Sequence, residues 1–403
     1  MEGETDYRLL TTISILENIP LKAKSRLLVS MKPMQVSAGT TFIKQGDEGD
    51  CLYLIERGFC VVTVNKGGDA HPVAVRGPGE MVGEMSLVTG EPRSADVTAG
   101  RNTKLWRLER RRFEEISKEH PEITSLLTEI MTRRLEQASL TTERTIGNYV
   151  ITEIEGRGRT SIVYKGLCAG SSTPVAIKML KHDLAMDEGF QDAFRNESRV
   201  LADLHHKNIV SVYDIQYLYR TVFIIMEYLH GHSLETLLTI TPRLPPDSAC
   251  RILMDICYGL AYAHGKGVVH GDVKPANIFV PADSGAKIID FGLACKIGTR
   301  TLGFFGTPKY ASPEHITGEP VTERSDIYSL GLLAYRITTG EEAFDDEDAS
   351  ILLLRQLYED VPDPRKANPE LPDNLRNFVL RATRKDPAER YADVQQGIGD
   401  LER

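Results

Sequence analysis

The stretch "HGDVKPANIFV", His270 to Val280, is the most informative part of this chain of 403 residues. It places a carboxylate, an ammonium group and a carboxamide close together, at Asp272, Lys274 and Asn277. Gly271 separates the carboxylate from the histidine, and a short apolar run follows. Carboxylate and amide oxygens are donors that suit Mg²⁺. The interpretation of this loop depends on the motifs that precede and follow it.

Upstream of the loop, the sequence contains a glycine-rich turn and a lysine on an apolar strand. "EGRGRTSIVYKG" places Gly156 and Gly158 between two predicted strands, where backbone amides can approach phosphates without Cβ clashes. Alone this pattern is weak, because an ordinary hairpin also has it. Lys178 in "VAIKML" follows Ala176 among apolar residues, and burying it without an anion would be costly.

Further motifs follow in an order that resembles the protein kinase family over about residues 149–403. "IIDFGLA" supplies Asp290, and "GTPKYASPE" and "SDIYSLG" come after it. The ordered series, rather than any single motif, makes chance an unsatisfactory explanation. The resemblance implies that Glu314 pairs with Arg390 and that Asp326 braces the catalytic loop. The "KPAN" and "GTPKY" segments are typical of serine/threonine kinases, and the whole resembles the bacterial members.

The resemblance implies that ATP and Mg²⁺ are the cofactors and that the γ-phosphate moves to a Ser or Thr hydroxyl of a protein substrate. Asp272 would accept the hydroxyl proton, and Lys274 would neutralise the γ-phosphate. Lys178 would hold the α- and β-phosphates together with Glu197. The metal ligands would be Asn277 and Asp290. The other ATP-binding positions would be Gly156, Gly158, Ser161, Val163, Ala176, Met226 (the gatekeeper), Glu227 and Leu229.

Gly271 departs from the family pattern, which usually has an arginine there. That arginine commonly holds a phosphate on the activation segment, because its guanidinium binds phosphate with two hydrogen bonds. Without it, a phosphate on Thr299, Thr301 or Thr307 has no obvious partner. We therefore expect that phosphorylation of this segment is not the main switch.

The front of the chain has a different pattern. Short β-rich runs separated by glycines extend over about residues 36–108, which predicts a small barrel or β-roll. Apolar residues at helical spacing follow, at Ile123, Leu126, Leu127, Ile130, Met131 and Leu135. The expected fold is α+β and multidomain, with an N-terminal β-roll and helices followed by a bilobal kinase fold. The expected domains are residues 1–145, including a connecting helix, and residues 149–403.

The segment "MVGEMSLVTGEPRSADVTA" places Glu84 and Arg93 on either side of a short turn. An arginine beside helix N-terminal amides suits a single phosphate, and a nearby carboxylate can accept a ribose 2′-hydroxyl. Together they match a cyclic nucleotide. The segment resembles the phosphate-binding cassette of the cyclic-nucleotide-binding domain family, over about residues 10–145. The resemblance adds four cassette residues, which are Gly83, Met85 (through its backbone), Ser94 and Ala95.

Several alternatives remain open at this point. Ser94 does not decide between cAMP and cGMP, and Glu84 and Arg93 could form a structural pair in a ligand-free docking or dimerisation module. The second half could be a weakly active scaffold. Resemblance to cyclic-nucleotide-dependent kinases favours activation over inhibition by the nucleotide. The helix around residues 121–145 could form a homodimer or pack on the roll, through a seam at Leu126, Ile130, Leu135 and Leu140.

Composition excludes other classes. The net charge of −9 disfavours nucleic-acid binding driven by bulk charge, and a solvated helix start explains Arg110, Arg111 and Arg112 better than DNA contacts do. The six cysteines are scattered without a C-x-x-C pair, so neither a zinc site nor a disulfide framework is expected. The acidic N-terminus lacks an apolar signal core, and no apolar run is long enough to span a bilayer. We therefore expect a cytoplasmic protein without a membrane or nucleic-acid partner.

Overall fold

The structure is a computed structural model that describes residues 20–66, 69–85, 92–120, 123, 126, 130, 132, 145–158, 161–181, 204–218, 221–291, 294–300 and 307–402. The chain divides into two compact units. The first comprises Met1–Gln191 and Ile215–Ile225, and the second comprises Asp192–Asp214 and Met226–Arg403. Among the described helices, none has both the length and the apolar character needed to cross a membrane.

The front of the first unit is a β-roll of two four-stranded sheets, which confirms the prediction. One sheet has the order β1-β8-β3-β6 and the other β2-β7-β4-β5. Buried residues alternate along β7 and along the first half of β8, as expected for strands with one face in the core. The elements are α1 (Leu21–Val29), β1 (Lys32–Val36), β2 (Thr41–Ile43), β3 (Cys51–Arg57), β4 (Cys60–Lys66), β5 (Asp69–Arg76), β6 (Met81–Val82), β7 (Asp96–Ala99), β8 (Thr103–Glu109) and α2 (Arg110–Glu119).

A six-stranded sheet follows in the order β13-β14-β12-β11-β10-β9. Its strands are β9 (Thr145–Ile146), β10 (Tyr149–Arg157), β11 (Ser161–Cys168), β12 (Pro174–Leu180), β13 (Val212–Leu218) and β14 (Thr221–Glu227). In the antiparallel pair β11–β12, Val163 lies opposite Lys178 and Tyr164 lies opposite Ile177. Because side chains alternate along a strand, the first pair and the second pair occupy opposite faces of the sheet.

The face that carries Tyr164 is covered from within the first unit. One hydrophobic cluster of buried residues contains Ile162, Tyr164, Val175, Ile177 and Met179 of the sheet, Ile123, Leu126 and Ile130 beyond α2, and residues of α1, α2 and the roll. The Tyr164 hydroxyl donates a long hydrogen bond of 3.4 Å to the buried hydroxyl of Thr132. The β-roll and this sheet therefore share a core.

The second unit is mainly helical. Its helices are α3 (Leu234–Ile240), α4 (Pro246–Gly265), α5 (Pro313–Thr317), α6 (Glu323–Thr339), α7 (Ala349–Tyr358), α8 (Asp373–Ala382) and α9 (Val394–Leu401). Its short strands are β15 (Gly231–Ser233), β16 (Val268–Val269), β17 (Ile278–Pro281), β18 (Lys287–Ile288) and β19 (Cys295–Lys296). A capping box of Thr322 and Ser325 begins α6, which is buried along most of its length. A large apolar cluster forms the core of this unit.

Candidate active site and nucleotide-binding cassette

Asp326, near the start of α6, fixes the backbone of the loop that carries Asp272. Its carboxylate accepts hydrogen bonds of 2.8 Å from the backbone N–H groups of His270 and Gly271. His264 lies 2.8 Å from the same carboxylate, a contact that the sequence did not reveal. Burial opposes ionisation, but His264 and the backbone donors hold the pKa of Asp326 below its usual range. The expected brace is confirmed.

Gly271 adopts a left-handed backbone conformation, with φ of +77°. Glycine populates this region readily, whereas a residue with a Cβ is strained there. The N–H of Gly271 donates to Asp326 from this conformation. The local backbone conformation therefore explains why glycine stands where the resemblance leads us to expect arginine.

Asp272, Lys274 and Asn277 form a compact polar cluster in the second unit. The Lys274 Nζ lies 2.5 Å from the Asp272 Oδ2, and the Asn277 Nδ2 donates to the same oxygen at 3.1 Å. The Lys274 Nζ also lies 2.7 Å from the hydroxyl of Thr307. The sequence indicated Thr307 only as a candidate phosphorylation site and missed this contact.

The oxygen atoms of this region fit a divalent cation. The Asn277 amide nitrogen donates to both the carbonyl and the carboxylate of Asp272, so the amide oxygen points away from them as a possible ligand. The second expected ligand, Asp290, follows β18 directly after Ile289, whose N–H donates to the carbonyl of Asn277 at 2.9 Å. One carboxylate and one amide oxygen are enough protein ligands for Mg²⁺, because this ion usually keeps water or phosphate oxygens in its other coordination positions.

The candidate adenine segment begins where β14 ends. Met226 is buried, with 9 % of its surface exposed. The backbone N–H of Glu227 donates to the carbonyl of Ser211 at 2.9 Å, so this N–H is occupied and the Glu227 carbonyl is the candidate acceptor for a ligand. Leu229 follows in an irregular segment before β15.

The glycine-rich segment and Lys178 lie in the first unit. β10 and β11 form the predicted hairpin, in which the Gly158 N–H donates to the carbonyl of Ser161 at 2.8 Å. Gly156 lies within β10 opposite Val163 rather than in the turn, and the pairing has a bulge between Ile154 and Gly156. Lys178 lies on β12, as predicted, and on the same face as Val163 and Ala176. Glu197 lies outside the described residues.

Glu314 and Arg390 form the ion pair that the sequence predicted. The two guanidinium nitrogens donate to the two carboxylate oxygens at 2.7 and 2.9 Å. Burial opposes ionisation of Glu314, but Arg390 and the Ser325 hydroxyl hold its pKa below the usual range. This bidentate pair anchors α5 to the segment before α9.

The candidate cassette brings Arg93 against Gly83. The Arg93 Nη1 donates to the carbonyl of Gly83 at 2.7 Å, and only 8 % of the arginine surface is exposed. Backbone hydrogen bonds of 2.8 Å join Arg93 to Gly46 and Asp47 in "QGDEGD". Gly83 has φ of +75°, and a Cβ there would lie 2.7 Å from the Arg93 Nη1. Glycine suits this position because φ is positive, and an added Cβ would crowd the guanidinium of Arg93.

The other cassette residues lie around this contact. Glu84 and Met85 follow Gly83 and are partly buried, Ser94 is exposed and Ala95 is partly buried. The Nη2 of Arg93 lies 3.3 Å from the Sγ of Cys51 and 3.9 Å from Asp50. The sequence missed this contribution of Cys51, since nothing in its pattern placed it beside Arg93.

The predicted helical seam is only partly described. α2 ends at Glu119, and beyond it Leu126 and Ile130 are helical and buried within one chain. Their burial favours packing over a dimer contact at these two positions. Leu127, Met131, Leu135 and Leu140 lie outside the described residues. Arg111 and Arg112 pair with Glu115 at the start of α2, as expected for a solvated helix start.

The loop braced by a buried aspartate, the polar cluster and the lysine-bearing antiparallel sheet define a kinase-type catalytic domain. The family model for the protein kinase domain matches residues 149–398, and the chain belongs to that family. The model for the cyclic nucleotide-binding domain matches residues 33–120, so the chain also carries such a domain at its N-terminal side.

Curated relatives that the chain matches include bacterial serine/threonine kinases. Serine/threonine-protein kinase PrkC of Bacillus subtilis is 35% identical over 263 residues, which are 64% of this chain and 41% of the relative. Serine/threonine-protein kinase PknL of Mycobacterium tuberculosis is 36% identical over 258 residues, or 63% of this chain and 65% of the relative. Serine/threonine-protein kinase PknB of Mycobacterium leprae is 35% identical over 262 residues, or 63% and 42%. The chain thus spans about two fifths to two thirds of these relatives' length.

Proposed function

We propose that this chain is a serine/threonine protein kinase that transfers the γ-phosphate of ATP to protein hydroxyls, and that cAMP or cGMP bound to its front domain regulates the transfer. The observation that carries the catalytic part is the cluster of Asp272, Lys274 and Asn277 on a loop braced by Asp326. The named activity of the relatives supports the serine/threonine class.

Asp272 orients the acceptor hydroxyl and takes its proton. Within the described part of the chain, Lys274 and the Asn277 side chain both reach the Oδ2 of Asp272, so Oδ1 is left to accept from a substrate. Lys274 holds positive charge beside the hydroxyl of Thr307, where it can stabilise the transferred phosphoryl group. Positioning and charge neutralisation of this kind supply most of the catalysis in phosphoryl transfer.

Mg²⁺, when bound, neutralises phosphate charge, and Asn277 and Asp290 would hold it. Lys178, with Glu197 as its proposed partner, would hold the α- and β-phosphates. The carbonyl of Glu227 would accept a hydrogen bond from adenine, and the backbone N–H of Leu229 would donate one to it.

The catalytic proposal is tested with radiolabelled ATP, Mg²⁺ and a generic protein substrate. We expect labelled phosphoserine and phosphothreonine from the wild type and a loss of at least about a hundredfold with Asp272→Asn. Asparagine has nearly the same size as aspartate, so the Asp272→Asn protein should fold as the wild type does. Comparing the folding of the two proteins is the control. Equal transfer by the two proteins would exclude this active site, and very weak or absent transfer by the wild type would favour the scaffold alternative.

The regulatory proposal depends on the cassette. The side chain of Arg93 is buried against Gly83 and its backbone is bonded to "QGDEGD", a setting that suits a single phosphate.

The shared core offers a route from the cassette to the ATP site. Ile123, Leu126 and Ile130 belong to the same hydrophobic cluster as the sheet face behind Lys178. A ligand shifts activity only through different affinities for two states, and a displaced helix would act on β11 and β12 directly.

Calorimetry with cAMP and cGMP, together with activity measured at saturating nucleotide, tests the regulation. Arg93→Lys keeps the charge but removes the bidentate donor geometry, and we expect at least about tenfold weaker binding with unchanged basal activity. Failure of both nucleotides to bind the wild type would favour the docking-module alternative.

A further inference from the structure

The side chain of Glu227 takes part in a second set of contacts that the proposed hinge role does not use. Its Oε1 accepts a hydrogen bond of 2.8 Å from the backbone N–H of Ser211 and one of 2.8 Å from the Nζ of Lys287. The ion pair is mostly shielded, since the side chains of Lys287 and Glu227 are 13% and 18% exposed. A shielded pair holds its geometry better than an ion pair at the surface.

These contacts close a ring within the second unit. The Glu227 N–H donates to the carbonyl of Ser211, so Glu227 binds Ser211 with both its backbone and its side chain. The neighbouring Val210 N–H donates to the carbonyl of Ile288 at 2.9 Å, and Ile288 follows Lys287 on β18. The end of β14 is thereby tied to β18, which leads to Asp290.

We propose that Lys287 is a positioning residue for the nucleotide base. By holding the Glu227 side chain, it fixes the direction of the Glu227 carbonyl, which is the candidate acceptor because the N–H of that residue already donates to Ser211. The inference rests on the proposed function, because it assumes that this carbonyl accepts from the adenine amino group.

The fixed carbonyl also provides base specificity. Adenine presents an amino donor at its 6-position, whereas guanine presents a carbonyl acceptor there. A carbonyl held in place favours the donor and repels the acceptor, and a carbonyl that can turn discriminates less. Lys287 thus acts on the ratio of ATP to GTP affinity rather than on the chemical step.

The test uses the full chain with Lys287→Met and Lys287→Arg. Equilibrium binding of ATP and GTP is measured by competition with a fluorescent ATP analogue, and KM and kcat are measured for both nucleotides. For Lys287→Met we expect a rise of about tenfold in the dissociation constant and KM for ATP, with about twofold or less for GTP and for kcat. Lys287→Arg should restore ATP binding to within about threefold.

Two further variants separate positioning from general destabilisation. Glu227→Gln combined with Lys287→Met should weaken ATP binding no more than Lys287→Met alone, since both changes break the same pair. Arg376→Met removes an ion pair with Asp363 of the same unit and should leave the ATP to GTP ratio unchanged.

The outcomes are distinct. Unchanged ATP affinity in Lys287→Met, or an equal rise for ATP and GTP, overturns the positioning role. Binding of ATP without phosphotransfer by the wild type defeats the proposed function, but the binding ratio still decides the role of Lys287. A wild type that binds neither nucleotide overturns both.

Discussion

At the level of single residues, backbone conformation explains why glycine occupies positions 271 and 83. Gly271 and Gly83 both have positive φ, and each lies beside a charged group that the proposed function needs. Gly271 donates its N–H to Asp326, and Gly83 accepts from Arg93 through its carbonyl. In both cases the glycine allows a polar contact that a Cβ would strain or block.

Gly271→Ala should lower the free energy of unfolding by about 1–2 kcal/mol, because alanine is strained in the left-handed region. Denaturant unfolding of the full chain measures the change. Gly265→Ala, at the end of α4, is the matched control, since a Cβ there meets nothing within 4 Å and its φ is not positive. We expect that control to be neutral or slightly stabilising. Equal destabilisation by both would contradict the backbone explanation.

Gly83→Ala should weaken binding of a cyclic nucleotide by more than about tenfold, because the new Cβ displaces the guanidinium of Arg93. Gly39→Ala controls for backbone strain alone. Gly39 has φ of +78°, close to the +75° of Gly83, but a Cβ there meets nothing within 4 Å. Calorimetry on both variants measures the difference, and similar affinities would show that the Arg93 contact is not what matters.

At the scale of the element, strands were more predictable than contacts between distant segments. The alternation in "SIVYKG" and "VAIKML" predicts β11 and β12, and therefore which residues share the face of Lys178. The ion pair of Glu227 with Lys287 and the contact of Thr307 with Lys274 join positions 60 and 33 residues apart. Such contacts depend on tertiary packing, which periodicity does not report. The sequence pattern also does not predict the bulge beside Gly156 in β10.

Tyr164 tests the packing of the connecting helix on the sheet. Tyr164→Phe removes only the 3.4 Å hydrogen bond to Thr132, so we expect a loss of stability of at most about 1 kcal/mol. Tyr164→Ala empties a fully buried site and should cost about 3–5 kcal/mol. If the shared core carries the signal, Tyr164→Phe should keep the response to nucleotide, and a milder cavity variant, Ile177→Val, should reduce it. Activity with and without cAMP or cGMP measures the response, and an unchanged response in Ile177→Val would contradict this route.

At the scale of the whole molecule, the matched family regions and the compact units do not coincide. The family models divide the chain between residues 120 and 149, whereas the first compact unit extends to Gln191. Motifs report the order of domains along the chain, but a shared core is a property of packed surfaces that single motifs do not contain. The second unit has its own core.

Lys385 should make the stability of the second unit depend on pH. Burial lowers the pKa of its ammonium group to about 8, with Arg390 lowering and Asp360 and Glu359 raising it. The unfolded chain keeps this proton to a higher pH than the folded chain, so wild-type stability should gain between about pH 8 and 10 relative to Lys385→Met. Unfolding midpoints of both proteins at pH 7 and pH 9.5 measure the gain. Parallel profiles would contradict the shifted pKa.

The sheet face behind Lys178 has a consequence for how this chain can be recombined. Ile162, Tyr164, Val175 and Ile177 are each at most 2 % exposed, and they share their core with the front of the chain. If only the part of the chain from about residue 149 onward were fused to another protein, this hydrophobic face would be exposed to water. An exposed hydrophobic patch of this kind promotes aggregation. A soluble fusion protein therefore has to contain the β-roll together with the six-stranded sheet that shares its core.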